Sequence, residues 1–182
     1  MKRSLTRRNR YDIKLKSSKW FPIELCTINF KHDANLGFLI RAAACFGIRR
    51  INVIGDCPPR SILNPLSGSL YDYIEIKKYS RPCEFLDYVK AEGLRVVSAE
   101  ISQDSTPLDV FTFDYSSRLV LVVGQEYSGV PIEILRNSEQ VYIPMPGPGF
   151  CLNTSQAANI MLYEAVKQYE TKVKEKNQTA SR

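Results

Sequence analysis

Asn153, Thr154 and Ser155 follow, after Phe150, Cys151 and Leu152, on the run IPMPGPG at residues 143–149, with three prolines and two glycines in seven positions. Proline fixes φ and removes an amide donor, whereas glycine lets a ligand lie against bare backbone. Where the next helix begins, side-chain donors and free helix amides converge beside that stiff bend. Such a place suits a ligand held close to the main chain. Glu126 lies between Gly124 and Gly129 in GQEYSGVP, just after the apolar run LVLVV, as an acid in a tight turn. Arg41 interrupts a helical face of small residues, Gly37, Ala44 and Cys45, opposite Leu36, Leu39, Ile40 and Phe46. That pattern predicts close approach of another protein surface, with the guanidinium in a partly dry setting. Asp33 or Asn35 suits the N-cap of this helix, and Gly47 its end. No Gly-Lys-Ser/Thr ending and no GxGxxG follows any strand-like run, so a P-loop and a dinucleotide fingerprint both lose ground.

The elements that must position these groups alternate along the chain. Apolar, β-branched runs at 23–30, 51–55, 73–76, 94–100, 118–124 and 140–144 read as strands, most of them too continuously apolar to leave one face in water. Helical stretches at about 34–47, 81–92, 131–137 and 153–171 lie between them. The alternation predicts a single α/β domain with a mostly parallel sheet flanked by helices. In such sheets ligands gather at the carboxyl ends of the strands, where Glu126 and the 143–155 segment fall. The segment GDCPPRSILNPLSGS, residues 55–69, reads as a long surface loop.

A chain of 182 residues, 44% hydrophobic and 24% charged, suffices for one ordinary core. Its net charge of +6 is unevenly placed. Residues 1–20 hold eight basic side chains, among them Arg7, Arg8, Arg10, Lys14, Lys16 and Lys19, against Asp12 alone, so nearly all the excess sits in one arm. A basic run of this kind is a solvated tail or a nucleic-acid contact. We divide the chain into that arm (1–20), a folded domain (21–171) and a flexible tail (172–182). No apolar run reaches the roughly 18 residues of a membrane span and no signal peptide is indicated, so a cytoplasmic protein is expected. Five cysteines without CxxC spacing and a single histidine, His32, argue against zinc and disulfides, and for buried free thiols.

Three segments taken together, NLGFLIRAAACFG, LVLVVGQEYSGVP and IPMPGPGFCLNTSQAANIMLYEA, resemble motifs 1, 2 and 3 of the SpoU–TrmH family of SPOUT RNA methyltransferases. The resemblance spans about residues 23–170. It implies a C-terminal deep trefoil knot, a homodimer, and transfer of a methyl group from S-adenosylmethionine to a ribose 2′-hydroxyl, leaving S-adenosylhomocysteine. By position it assigns the cofactor to Ala99, Glu100, Gly124, Ile143, Met145, Cys151 and Leu152, and the catalytic positions to Asn35, Arg41, Glu126, Asn153 and Ser155. It makes Arg41 a proton acceptor. Because a guanidinium pKa lies above roughly 12, binding the adjoining phosphate and acidifying the 2′-hydroxyl is the less demanding role. The chain departs from the family in having Cys151 where serine is usual, and FLIRAAACFG where a Thr-Ala-Asp-like sequence is more usual. The basic arm, with Arg41, then reads as the grip on structured RNA, tRNA first and rRNA second. The alternative is a non-catalytic knotted RNA-binding dimer.

Overall fold

In the computed structural model, which describes residues 6–179, the apolar runs form β1 (Ile23–Ile28), β2 (Arg50–Ile54), β3 (Glu75–Tyr79), β4 (Arg95–Ala99), the two-residue β5 (Thr106–Pro107), β6 (Leu119–Val123) and β7 (Glu139–Tyr142). They pair in parallel in the order β3-β2-β1-β6-β4-β7-β5. Every residue of the central strands β1 and β6 is buried, which is why their sequences lack the alternation of a half-wet strand. β6 enters between β1 and β4, although β4 precedes it in the chain.

The helices are α1 (Arg7–Leu15), α2 (Asp33–Phe46), α3 (Arg60–Leu66), α4 (Pro82–Ala91), α5 (Ile132–Leu135) and α6 (Thr154–Thr179). One core cluster joins Leu36, Leu39 and Ile40 of α2, Leu63 of α3 and Ala158, Met161, Leu162 and Ala165 of α6 to one face of the sheet. The second joins Phe85 and Val89 of α4 and Ile134 of α5 to the other. α6 packs beneath β6 and against α2, with its buried residues at the i, i+3, i+4, i+7 spacing of a single face.

Four expectations are revised. The 55–69 stretch is not all loop: α3 forms within it because Leu63 has a core site to fill, and Ser67 is buried too. The third strand begins at Glu75 because Tyr71–Tyr73 is wound into a 3₁₀ turn. The arm contains a helix, capped by the Thr6 side chain accepting from the Asn9 amide; Lys2 and Arg3 lie outside the described residues. At the other end, where a flexible tail is expected from 172, α6 continues to Thr179. Lys, Glu and Gln favour helix by their own propensity, and Lys172, Lys174, Glu175 and Lys176 are exposed on it; residues 180–182 lie outside the described residues.

Candidate active site

Because the strands are parallel, the loops leaving their carboxyl ends all emerge on one side of the sheet. There, a cavity of about 380 Å³ opens between the ends of β4, β6 and β7 and the first turns of α6. Ala99, Glu100, Gly124, Ile143, Met145, Cys151 and Leu152 all line it, and so do Glu126 and Asn153. Its volume lies in the range of small-ligand sites.

The cavity walls are built by local necessity. Gln125 and Gly129 exchange two backbone hydrogen bonds of 3.0 Å, closing a five-residue loop that carries Glu126 and Tyr127 at its tip. A Cβ on Gly124 would meet the carbonyl carbon of Gly129 at 2.2 Å, so only glycine lets this loop fold back on its own stem. Glu100 Oε2 accepts from the Val130 amide at 2.9 Å and braces the loop from β4. Thr154, buried at the start of α6, donates its hydroxyl to the Gly124 carbonyl at 3.0 Å. The cavity floor is apolar where Ala157 and Met161 reach it, while each residue of 146–153 is exposed, Phe150 to 93%, as is Tyr127 of the 125–129 loop to 81%.

A chain of hydrogen bonds crosses the rim. The Lys31 amide donates to Glu126 Oε2 at 3.0 Å, and Asn35 Nδ2 donates to Glu126 Oε1 at 2.5 Å. Asn153 Nδ2 donates to Asn35 Oδ1 at 3.1 Å. Asn153 Oδ1 in turn accepts from the Ser155 amide at 2.9 Å and hydroxyl at 2.6 Å. Four of the five residues assigned to catalysis thus form one network, from the β1, β6 and β7 exits. Burial alone would push the Glu126 carboxyl up, but amide donation from Lys31 and the Asn35 side chain outweighs it, and the group is held below the usual carboxylate range. The network therefore presents a fixed carboxylate rather than a proton donor. Asn35 is engaged across the rim, not capping: the residue at the N-cap of α2 is His32, with no side-chain cap bond.

Arg41 stands apart from this network and from the cavity lining. It is exposed on α2 and has no hydrogen bond or ion pair among the described residues. Its guanidinium lies against Gly68, where an added Cβ would sit 3.6 Å from Nη1. The small face around it is covered partly by this same chain: a Cβ on Gly37 would meet that of Leu66 on α3 at 2.3 Å. Phe38 and Cys45, on the Arg41 side of α2, remain exposed. Of the basic residues assigned to RNA, Arg7, Arg8, Arg10, Lys14 and Lys16 are exposed at or beside α1, whereas Lys19 pairs with Glu170 at 3.5 Å. Among the described residues no group of three or more metal-ligating side chains forms a site, and all five cysteines are free. Only Cys26 is fully buried; Cys45, Cys83 and Cys151 are exposed, contrary to the expectation of buried thiols.

Sequence reasoning passed over Gln125, Tyr127 and Met161. Met161 lies seven residues beyond Thr154, two turns along one helix face, and that spacing is the signal that could have found it.

Residues 22–163 match the model of the SpoU rRNA Methylase family. The chain is 30% identical over 146 residues to the tRNA (guanosine(18)-2′-O)-methyltransferase of Aquifex aeolicus (strain VF5), covering 79% of this chain and 68% of that one. Among solved structures it resembles the A. aeolicus TrmH/SpoU tRNA modifying enzyme, with a TM-score of 0.75 and 26% identity over 90% of this chain and 86% of that one. It also resembles an AdoMet-bound rRNA methyltransferase of Sinorhizobium meliloti, with a TM-score of 0.74 and 25% identity over 82% and 57% of the two chains. The chain spans between about half and about seven tenths of the length of the curated relatives it matches.

Proposed function

The chain belongs to the SpoU rRNA methylase family, and from that premise we propose that it methylates a ribose 2′-hydroxyl of structured RNA, with tRNA the first candidate substrate and rRNA the second. The observation that carries this reading is the cavity at the strand ends, bordered by the Glu126–Asn35–Asn153 chain of hydrogen bonds. Its apolar floor at Ala157 and Met161 and its polar rim suit S-adenosylmethionine, which combines an adenosine with a charged amino-acid tail. When bound, that cofactor supplies an electrophilic methyl group.

The residues of the chain then have distinct tasks. Glu100, Thr154 and Gly124 keep the 124–130 loop closed, so the wall of the cavity is rigid before ligand arrives. Glu126, kept ionised, fixes Asn35, and Asn35 fixes Asn153 at the mouth. Arg41 binds the phosphate next to the target ribose, stabilising the oxyanion that develops as the 2′-hydroxyl gives up its proton to water while its oxygen takes the methyl group. Since Arg41 lies outside the cavity of its own chain, we assign it to the cavity of a second copy, in a homodimer whose contact includes the exposed Phe38 and Cys45 side of α2. A deep knot, with β6 drawn between β1 and β4, belongs to the same proposal, as do the cytoplasm as location and residues 1–20 as the RNA-binding arm.

The test is transfer of tritium from labelled S-adenosylmethionine to total RNA of cells lacking the protein, with the label mapped to 2′-O-methylribose. Cofactor binding without transfer to any RNA would leave a non-catalytic RNA-binding dimer; absence of cofactor binding would end the proposal. Mixing an Arg41→Gln subunit with a Gly124→Val subunit, each inactive alone, should restore up to a quarter of the normal rate if Arg41 serves the neighbour's cavity. No restoration would place Arg41 in service of its own.

A further inference from the structure

The basic helix α1 has no buried residue, and at nine residues it is shorter than the roughly 12–15 that an isolated helix needs to persist in water. Burial in the core therefore does not hold it. Among the described residues its long-range hydrogen bonds all run to one segment, 68–73. The Tyr11 hydroxyl donates to the Gly68 carbonyl at 3.3 Å, the Tyr11 ring meets Tyr73 edge-on with centroids 6.0 Å apart, and the Tyr73 hydroxyl donates to Asp12 Oδ1 at 2.6 Å. Gly68 is also the residue against which the Arg41 guanidinium lies. The helix is thus pinned to the same turn of backbone that receives Arg41.

The charges follow from that pinning. Arg7, Arg8, Arg10 and Lys14 are all exposed on α1, and none has an ion pair among the described residues. At the far side of the segment, Arg60 grips Asp72 through both carboxylate oxygens, at 2.7 and 2.5 Å. That hydrogen bonding, and to a lesser degree the charge of Arg8, holds Asp72 below the usual carboxylate range. A helix that contributes nothing to the core, carries unpaired cations and is tied by hydroxyl groups to the seat of Arg41 is placed for a polyanion.

Resting on the proposed RNA methylation, we propose that Tyr11, Asp12 and Tyr73 are positioning residues: they lock α1 as a rigid extension of the Arg41 surface, so that one RNA backbone runs from Arg7, Arg8, Arg10 and Lys14 onto Arg41 in a single register. The cations of α1 supply affinity, as phosphate contacts do. The latch supplies alignment, which affects rate more than affinity, since small misplacements of a reacting group cost large factors.

The Tyr11→Phe/Tyr73→Phe double variant removes both hydroxyl bonds and keeps both rings and every charge. With total RNA as probe, its RNA affinity should stay within about twofold of normal with an unchanged salt slope. Its single-turnover rate at saturating RNA should fall about tenfold, with S-adenosylmethionine affinity and melting temperature unaltered. The Arg7→Gln/Arg8→Gln/Arg10→Gln variant should instead lose RNA affinity and lower the salt slope by about two. An unchanged single-turnover rate in the double variant, a parallel loss of cofactor affinity, or an unchanged salt slope in the triple variant would each overturn the inference. Failure of the normal protein to methylate any RNA would strike the proposed function first, and this inference with it.

Discussion

The two ends of the sheet handle charge in opposite ways. At the amino ends, strand-leading residues meet side by side because the strands are parallel, and their charges answer one another. Glu24, only 5% exposed, accepts from Asn52 at 2.8 Å, Tyr88 at 3.0 Å, Arg118 at 3.1 Å and Arg50 at 3.5 Å. Arg50 passes on to Glu75, Arg118 to Glu92, and Arg95 bridges Asp114 and Glu139. Burial, and then the nearby Glu24 charge, push the Tyr88 phenol up, so it stays a neutral donor. At the carboxyl ends Glu126 is held by an amide N–H and an asparagine, and Glu100 by the Val130 and Ile101 amides, rather than by a cation, and Arg41, farther along α2, has no counter-ion among the described residues. A closed set of ion pairs gives a rigid base. A charge left without a partner, as at Arg41, is available to a ligand, and the difference supports the proposal that the cavity end is the working one.

The contrast can be broken most severely at its base. Glu24→Ala would leave two guanidinium groups and the Asn52 amide facing an empty buried site, and should cost about 3–5 kcal/mol of stability by urea denaturation. Cofactor affinity of the remaining folded protein should be unchanged. Arg41→Gln is the mirror image: stability should stay within about 0.5 kcal/mol, while the methyl-transfer rate falls about 10²–10³-fold. Arg41→Lys should recover little of that rate if both arms of the guanidinium bind phosphate, and near-normal turnover would refute this bidentate role.

Glu126→Gln should have an intermediate effect on both, with a stability loss of about 1–3 kcal/mol and a rate loss from release of Asn35. Because the folded-state pKa is depressed, the stability contributed by this carboxylate is fully present above the ordinary Glu value of about 4.3 and is lost as pH falls through the lower folded value. Acid titrations of normal and Glu126→Gln protein should therefore converge at low pH, and a constant gap across the range would show that ionisation is not the source. The smallest change is expected from Glu92→Gln, which removes the exposed outer partner of Arg118 and should shift stability by no more than about 1 kcal/mol. A loss as large as that of Glu24→Ala would mean that the rim and the buried centre act as one unit.

Much of the architecture was legible because its signals are local. Continuous apolar runs marked buried parallel strands, and Gly124, Gly129 and the proline-glycine run marked the turns that border the cavity. The seven residues assigned to the cofactor lie in or beside such runs, and all seven line the cavity. α3 was hidden because the prolines and serines of the 55–69 stretch around it match a loop, and only the core site filled by Leu63 turns the segment helical. The length of α6 was underestimated because no apolar stripe extends past Val173, although the residues there favour helix on their own.

By itself the sequence determined the parallel α/β layout, the positions of the tight turns and the basic excess of residues 1–20, since each depends on neighbours a few positions away. Only the tertiary structure decided which polar groups meet. Asn35 reaches Glu126 across 91 positions and Asn153 across 118, Glu24 gathers partners from β2, α4 and the residue that leads into β6, and α1 comes to rest on the seat of Arg41. The geometry of a hydrogen bond depends on distances of a few tenths of an ångström, and those are set by how the sheet closes and the helices pack.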